Sequence, residues 1–173
     1  VRQRAKIEKT KSTIRKIDSV IQPMYESYLT RRVAPAGAGN RLAEARAIVR
    51  AKRMLMIGEM PDRWADVYQT PTAALSAGGT RLETRYAAYR ASADARYQGA
   101  ECLAMIVLRG GFLPDAAEMF RADELGDIDK DGAIEFWDGW GWPIGFIRWA
   151  AGFSSLIQPQ NTSVSPDPFD PQR

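Results

Sequence analysis

The chain reads as an α+β domain, mostly helical, with a small antiparallel sheet near its C terminus. Three observations predict this. Apolar residues recur at three- and four-residue steps as far as residue 109. The pattern stops at Gly110-Gly111 and does not resume. Beyond that point lie an acidic loop and a run rich in Trp, Gly and Pro, where short alternating stretches replace helical spacing.

The first element is a long helix over 3–32, filling an N-terminal region of 1–33. Ile7, Ile14, Ile17, Ile21, Met24, Tyr25, Tyr28 and Leu29 form its apolar stripe. Arg4, Lys6, Lys9, Lys11, Arg15 and Lys16 lie opposite. The stripe is expected to pack on the domain through Ile14, Ile17 and Ile21 while the basic face stays solvated. Pro23 lacks an amide donor and clashes with the preceding turn, so it should kink the helix or divide it. Ala34-Pro35-Ala-Gly37-Ala-Gly39 ends the helix.

Asn40 is placed to cap a second helix over 41–59, which carries Leu42, Ala45, Ile48, Val49, Met56 and Ile57. Glu59 to Trp64 closes it, and 69–80 reads as a loop. A third helix over about 82–109 sets Leu82, Tyr86, Tyr89, Ala93 and Tyr97 on one side, ahead of the apolar run from Cys102 to Leu108. A short helix over 114–121 completes a helical region of 41–121. Residues 122–157 hold the acidic loop and the sheet, in which Ile144 to Trp149 is expected to pair with Ala133 to Phe136. Trp137, Trp140, Trp142, Phe146 and Trp149 are read as packing this small element, in preference to stacking on sugar. From Gln158 onward Pro, Asn, Ser and Asp dominate, so 158–173 is expected to be an extended tail. The remainder, 1–157, is one domain, which 173 residues with 45% apolar content can support.

Composition excludes several functions. There is no histidine, which removes catalytic triads, His-based zinc sites and imidazole acid–base work. The single cysteine, Cys102, cannot form an internal disulfide and reads as a small buried hydrophobe. Charge is unevenly spread: residues 1–60 hold 14 Lys/Arg against 5 Asp/Glu, and residues 111–173 hold 4 against 11. The basic residues follow amphipathic helices without interleaved aromatics, so they read as a solvated face and no nucleic-acid partner is expected. No apolar run is long enough to span a bilayer. Residue 1 is Val, which reads as a processed or artificial start with an apolar segment expected upstream of it.

The chemistry concentrates in one stretch. Asp127, Asp129 and Asp131 alternate, Gly132 stands sixth, Ala133 seventh, Glu135 ninth and Asp138 twelfth. This spacing follows the loop pattern D-x-[DN]-x-[DN]-G, in which side-chain oxygens at odd positions and one backbone carbonyl surround Ca²⁺. Asp127, Asp129, Asp131, the Ala133 carbonyl, Glu135 and Asp138 are therefore the candidate ligands. Position twelve normally holds Glu, whose longer arm binds through both oxygens; Asp138 has a shorter reach. A single open loop of this kind implies weak binding, on the order of 10⁻⁴–10⁻³ M as in extracellular modules. The competing reading is plain turn chemistry, with Asp129 to Gly132 reversing a hairpin. Five acids in so short a run exceed what a turn needs, and such crowding is costly without a cation.

The segment Asp138-Gly-Trp140-Gly141-Trp-Pro143-Ile144 resembles the D-x-W-G-x-P segment of type II secretion major pseudopilins. The long N-terminal helix is similar to the soluble part of a type IV pilin helix. A group of pilin-like proteins with a prepilin-type N-terminus shares more: E-M-P-D-R-W at Glu59 to Trp64, and A-E-C-L at Ala100 to Leu103. It shares also D-x-D-x-D-G-x-x-E-x-x-D-x-W-G-x-P at Asp127 to Pro143, and R-W at Arg148-Trp149. The helical stretches here leave less sheet than a standard pseudopilin carries. The resemblance implies a single pilin-like domain with a long pilin-like helix, in an exported structural subunit with no catalytic role. It implies location in the periplasm or at the cell surface, tethered to the inner membrane through the upstream segment. Its partners would be other pilin-like subunits in a homo- or hetero-oligomeric fibre, and Ca²⁺ would order its C-terminal loop.

Two other classes stay open. A soluble calcium-binding module accounts for the loop, although Gly139, Gly141 and Pro143 follow it where a helix–loop–helix sensor needs an exiting helix. A carboxylate-based glycoside hydrolase would use Glu135 and Asp138 as its pair.

Overall fold

The computed structural model describes residues 2–33, 39–69 and 96–149. Within them lie four α-helices: α1 (Arg2–Thr30), α2 (Arg41–Glu59), α3 (Trp64–Gln69) and α4 (Gln98–Arg109). Two 3₁₀ turns come next, Ala116–Met119 and Ala122–Glu124, and then strands β1 (Leu125–Gly126) and β2 (Glu135–Phe136). The described chain is thus mostly helical with one small antiparallel sheet.

The centre of the structure is α4. Every residue from Ala100 to Val107 is buried, as befits a helix that is apolar almost all round. Its start at Gln98 falls short of the expected 82; residues 82–95 lie outside those described. Ile17 and Val20 of α1 join Leu103, Ala104, Val107, Phe120 and Phe136 in one cluster. Met24 and Tyr28 join Met56, Met60 and Ile106 in a second.

α1 is continuous through Pro23, which does not divide it. Pro23 is exposed, so water can serve the carbonyl that its missing amide leaves without a bond. The buried face is Thr13, Ile17, Val20, Met24 and Tyr28. This corrects the expected stripe, because Ile7, Ile14 and Leu29 are 41%, 47% and 41% exposed. Thr13 replaces Ile14 for a reason: its hydroxyl donates to the buried Glu124 carboxylate at 2.7 Å. The basic face is not wholly solvated either. Lys16 meets Glu124 at 2.6 Å and Lys9 meets Asp123 at 2.9 Å. Burial alone would raise the Glu124 carboxyl; donors at Arg121 N, Lys16 and Thr13 outweigh it and hold the group below its usual range.

The start of α2 is as the local sequence dictates: Asn40 Oδ1 accepts from Ala43 N at 2.9 Å. This helix packs mainly near its end, where Met56 and Glu59 are buried, while Leu42 is 62% exposed. Glu59 accepts from Tyr28 Oη at 2.7 Å and Arg31 Nη1 at 2.6 Å, joining α2 to the end of α1. Helix α3 begins at Trp64, the last residue of the segment expected to close α2.

The sheet pairs differently from the expected hairpin. β1 runs antiparallel to β2 with Leu125 opposite Phe136 and Gly126 opposite Glu135, so the acidic loop is the connection between them. Residues 144–149 form no strand. Only Ile144 N reaches the free edge, donating to Phe136 O at 2.8 Å, and Trp137 makes an isolated bridge with Pro143. Asp138 N donates in turn to Trp142 O at 2.8 Å, so Pro143 stands between two ladder bonds at a position that needs no amide of its own. Gly126 lies under the Trp137 indole, where a side chain would collide with the ring. Gly139 sits directly on the Lys6 backbone, with no room for a Cβ, and its amide donates to Thr10 Oγ1 at 2.8 Å.

The short motifs scattered along the chain meet in space. Arg148, 7% exposed, donates to Met60 O and to Asp66 Oδ2, each at 2.9 Å, and pairs with Asp62 at 3.3 Å. Burial pushes the Asp66 carboxyl up despite that guanidinium. Trp64 Nε1 donates to Glu101 Oε2.

Candidate metal centre

The two strands hold the loop ends side by side, and the Asp side chains fold the loop inward. Asp127 Oδ1 accepts from Asp131 N at 3.2 Å and its Oδ2 from Gly132 N at 2.9 Å. Asp131 Oδ1 accepts from Ala133 N at 2.7 Å. Lys130 and Gly132 adopt left-handed backbone, with φ of 62° and 97°; glycine suits the second and the turn imposes the first.

Two acidic groups result, sharing Asp129. In one, carboxylate oxygens of Asp127, Asp129 and Asp131 lie within 4.8 Å of one another. In the other, the same holds for Glu101, Asp129 and Glu135. Glu135 is fully buried; its Oε2 accepts from Ile128 N at 3.2 Å and its Oε1 has no hydrogen-bond partner. Glu101, in the first turn of α4, is 1% exposed. Trp64 serves its Oε2, while its Oε1 likewise has no hydrogen-bond partner. Burial pushes both carboxyls up to about 7, and neighbouring acids add to the shift: Asp131, Asp129 and Glu135 for Glu101, Asp129 and Asp127 for Glu135.

The predicted ligands are thus placed unequally. Asp127, Asp129 and Asp131 form one group, and Glu135 joins Asp129 and Glu101 in the other. Ala133 has its residue buried against Trp64, Val67, Cys102 and Met105. Asp138 belongs to neither group: its Oδ1 accepts from Trp140 N at 2.7 Å and Trp142 N at 2.9 Å, fixing the Trp-Gly turn. Trp140 and Trp142 point outward, 46% and 60% exposed, so they do not pack the sheet as expected.

No family model, curated protein or solved structure matches this chain.

Sequence reasoning missed Glu101. The signal was present: a lone Glu stands among Ala100, Cys102, Leu103, Ala104 and Met105 in a run apolar enough to be core. A carboxylate is rarely buried without a compensating partner. Cys102 matches its reading as a buried hydrophobe, and its thiol is pushed up by burial, which makes it a poor nucleophile. Chemically, the two groups offer hard oxygen donors of one sign that could hold a metal ion.

Proposed function

We propose that this chain is a structural pilin-like subunit of a type II secretion or type IV pilus-like fibre, with a head ordered by Ca²⁺. The observation that carries the calcium part is the pair of acidic groups that share Asp129, one of Asp127, Asp129 and Asp131 and one of Glu101, Asp129 and Glu135, on a loop whose flanks are bonded to α1. The fibre part draws on the resemblance and on α1, which packs through one face and leaves Ile7 and Ile14 exposed to a neighbouring helix. In this reading the subunit is exported, and millimolar calcium outside the cytosol loads the loop.

Binding to the folded form alone stabilises it by about 1.4 kcal/mol at a free calcium tenfold above the dissociation constant. For a chain of this size that raises the melting temperature by about 3–5 °C. Melts at pH 8 in CaCl₂ and in EDTA measure it; coincident curves would remove calcium from the reading. Assembly is tested by Ile14→Cys in the native host. Oxidation should give a cross-linked dimer and nothing larger, since Cys102 is buried and silent and each subunit then offers one reactive thiol. Calcium binding without any cross-linked dimer would leave a soluble calcium-binding module instead.

A further inference from the structure

We infer that Glu101 of α4 is a direct ligand of the loop's cation, supplying from outside the loop the long-armed carboxylate that Asp138 does not supply. This rests on the calcium reading above and extends it to a residue 26 positions before the loop's first acid.

The geometry carries the argument. At position twelve Asp138 Oδ1 is engaged by two backbone amides, and the residue is in neither acidic group. Glu101 reaches the loop from α4, with a carboxylate oxygen within 4.8 Å of both Asp129 and Glu135. Two buried residues, Glu101 at 1% exposure and Glu135 at 0%, each keep one oxygen without a hydrogen-bond partner. Such oxygens are costly to bury in a core unless something satisfies them. Calcium needs six to eight oxygens. The three loop aspartates, Glu135 and Glu101 provide five carboxylates without Asp138. Trp64 holds the other Glu101 oxygen by a hydrogen bond, a restraint of the kind that orients metal ligands.

The alternative is that Glu101 is a protonated core acid with no metal role. The two differ in what Glu101→Gln does. The amide keeps the shape and removes the charge, so a protonated acid is mimicked and a ligand is lost. Calorimetric titration with CaCl₂ at pH 8, on EDTA-treated full chain, should show one site in the parent protein. Glu101→Gln should weaken it at least about tenfold, while its melting temperature in EDTA stays equal to the parent's or rises. If Glu101→Gln fails to fold, Glu101→Asp decides: retracting the carboxylate should also lower the affinity. Unchanged affinity in either folded variant overturns the role of Glu101 and leaves the calcium reading standing. No calcium uptake by the parent protein overturns both.

Discussion

Ile17→Asp should cost about 4–5 kcal/mol and lower the melting temperature by about 10 °C or more. Ile17 is 7% exposed and packs in the cluster of Val20, Leu103, Val107, Phe120 and Phe136. The substitution removes the aliphatic contact and places an unpaired carboxylate beside aromatic rings. The control is Ile14→Asp on the same helix. At 47% exposure it should change stability by less than about 0.5 kcal/mol. Urea unfolding of both variants checks the pair, and equal effects would mean that α1 presents a different face to the head.

Arg148→Met should cost about 3–5 kcal/mol, because it takes the buried guanidinium from two carboxylates, Asp62 and Asp66, and leaves the exposed Arg63 as a weaker partner of both. Its pH dependence distinguishes this cause from lost packing. Asp66 is already pushed up by burial, and removing Arg148 takes away the influences that lower it. A carboxyl raised in the folded state binds more protons there than in the unfolded chain. Stability of the variant should therefore recover as pH falls from 7 toward 5 and be lost again as pH rises. A deficit independent of pH would assign the effect to packing instead.

How much could be read from sequence depended on how local the causes are. The cap at Asn40 and the whole of α2 derive from neighbouring residues, and both stand where expected. The extent of α1 derives from periodicity and differs by only a residue or two at each end. Which face of α1 is buried cannot be had from apolarity alone. Ile7, Ile14 and Ile21 make one line along the helix and Ile17, Met24 and Tyr28 another; the choice falls to the second because Thr13 is needed by Glu124. The strand partner of β2 was misplaced because β1 is only two residues, too short to carry an alternating pattern. In the acidic loop, spacing identified Asp127, Asp129, Asp131 and Glu135 as neighbours, since all hang on one turn. Glu101 reaches them only through the tertiary packing of α4, and Asp138 leaves them through a hydrogen-bonded turn whose demand for an acceptor the ligand count ignored.

The bonds between α1 and the C-terminal part have a mechanical consequence. Gly139 on Lys6 and Thr10, Asp123 on Lys9, and Glu124 on Thr13 and Lys16 are strung along successive turns of the same helix. A pull on the N-terminal end of α1, directed along its axis, loads these attachments together in shear. They cannot be peeled apart one at a time as the rungs of a hairpin are. Gly139 adds a steric stop, since its backbone rests against that of Lys6 and cannot slide past without lifting the whole Trp-Gly turn. Tension along the helix is thus passed to the segments before β1 and after β2, on either side of the acidic loop, so the stiffness of that loop sets how firmly the C-terminal part is held to α1.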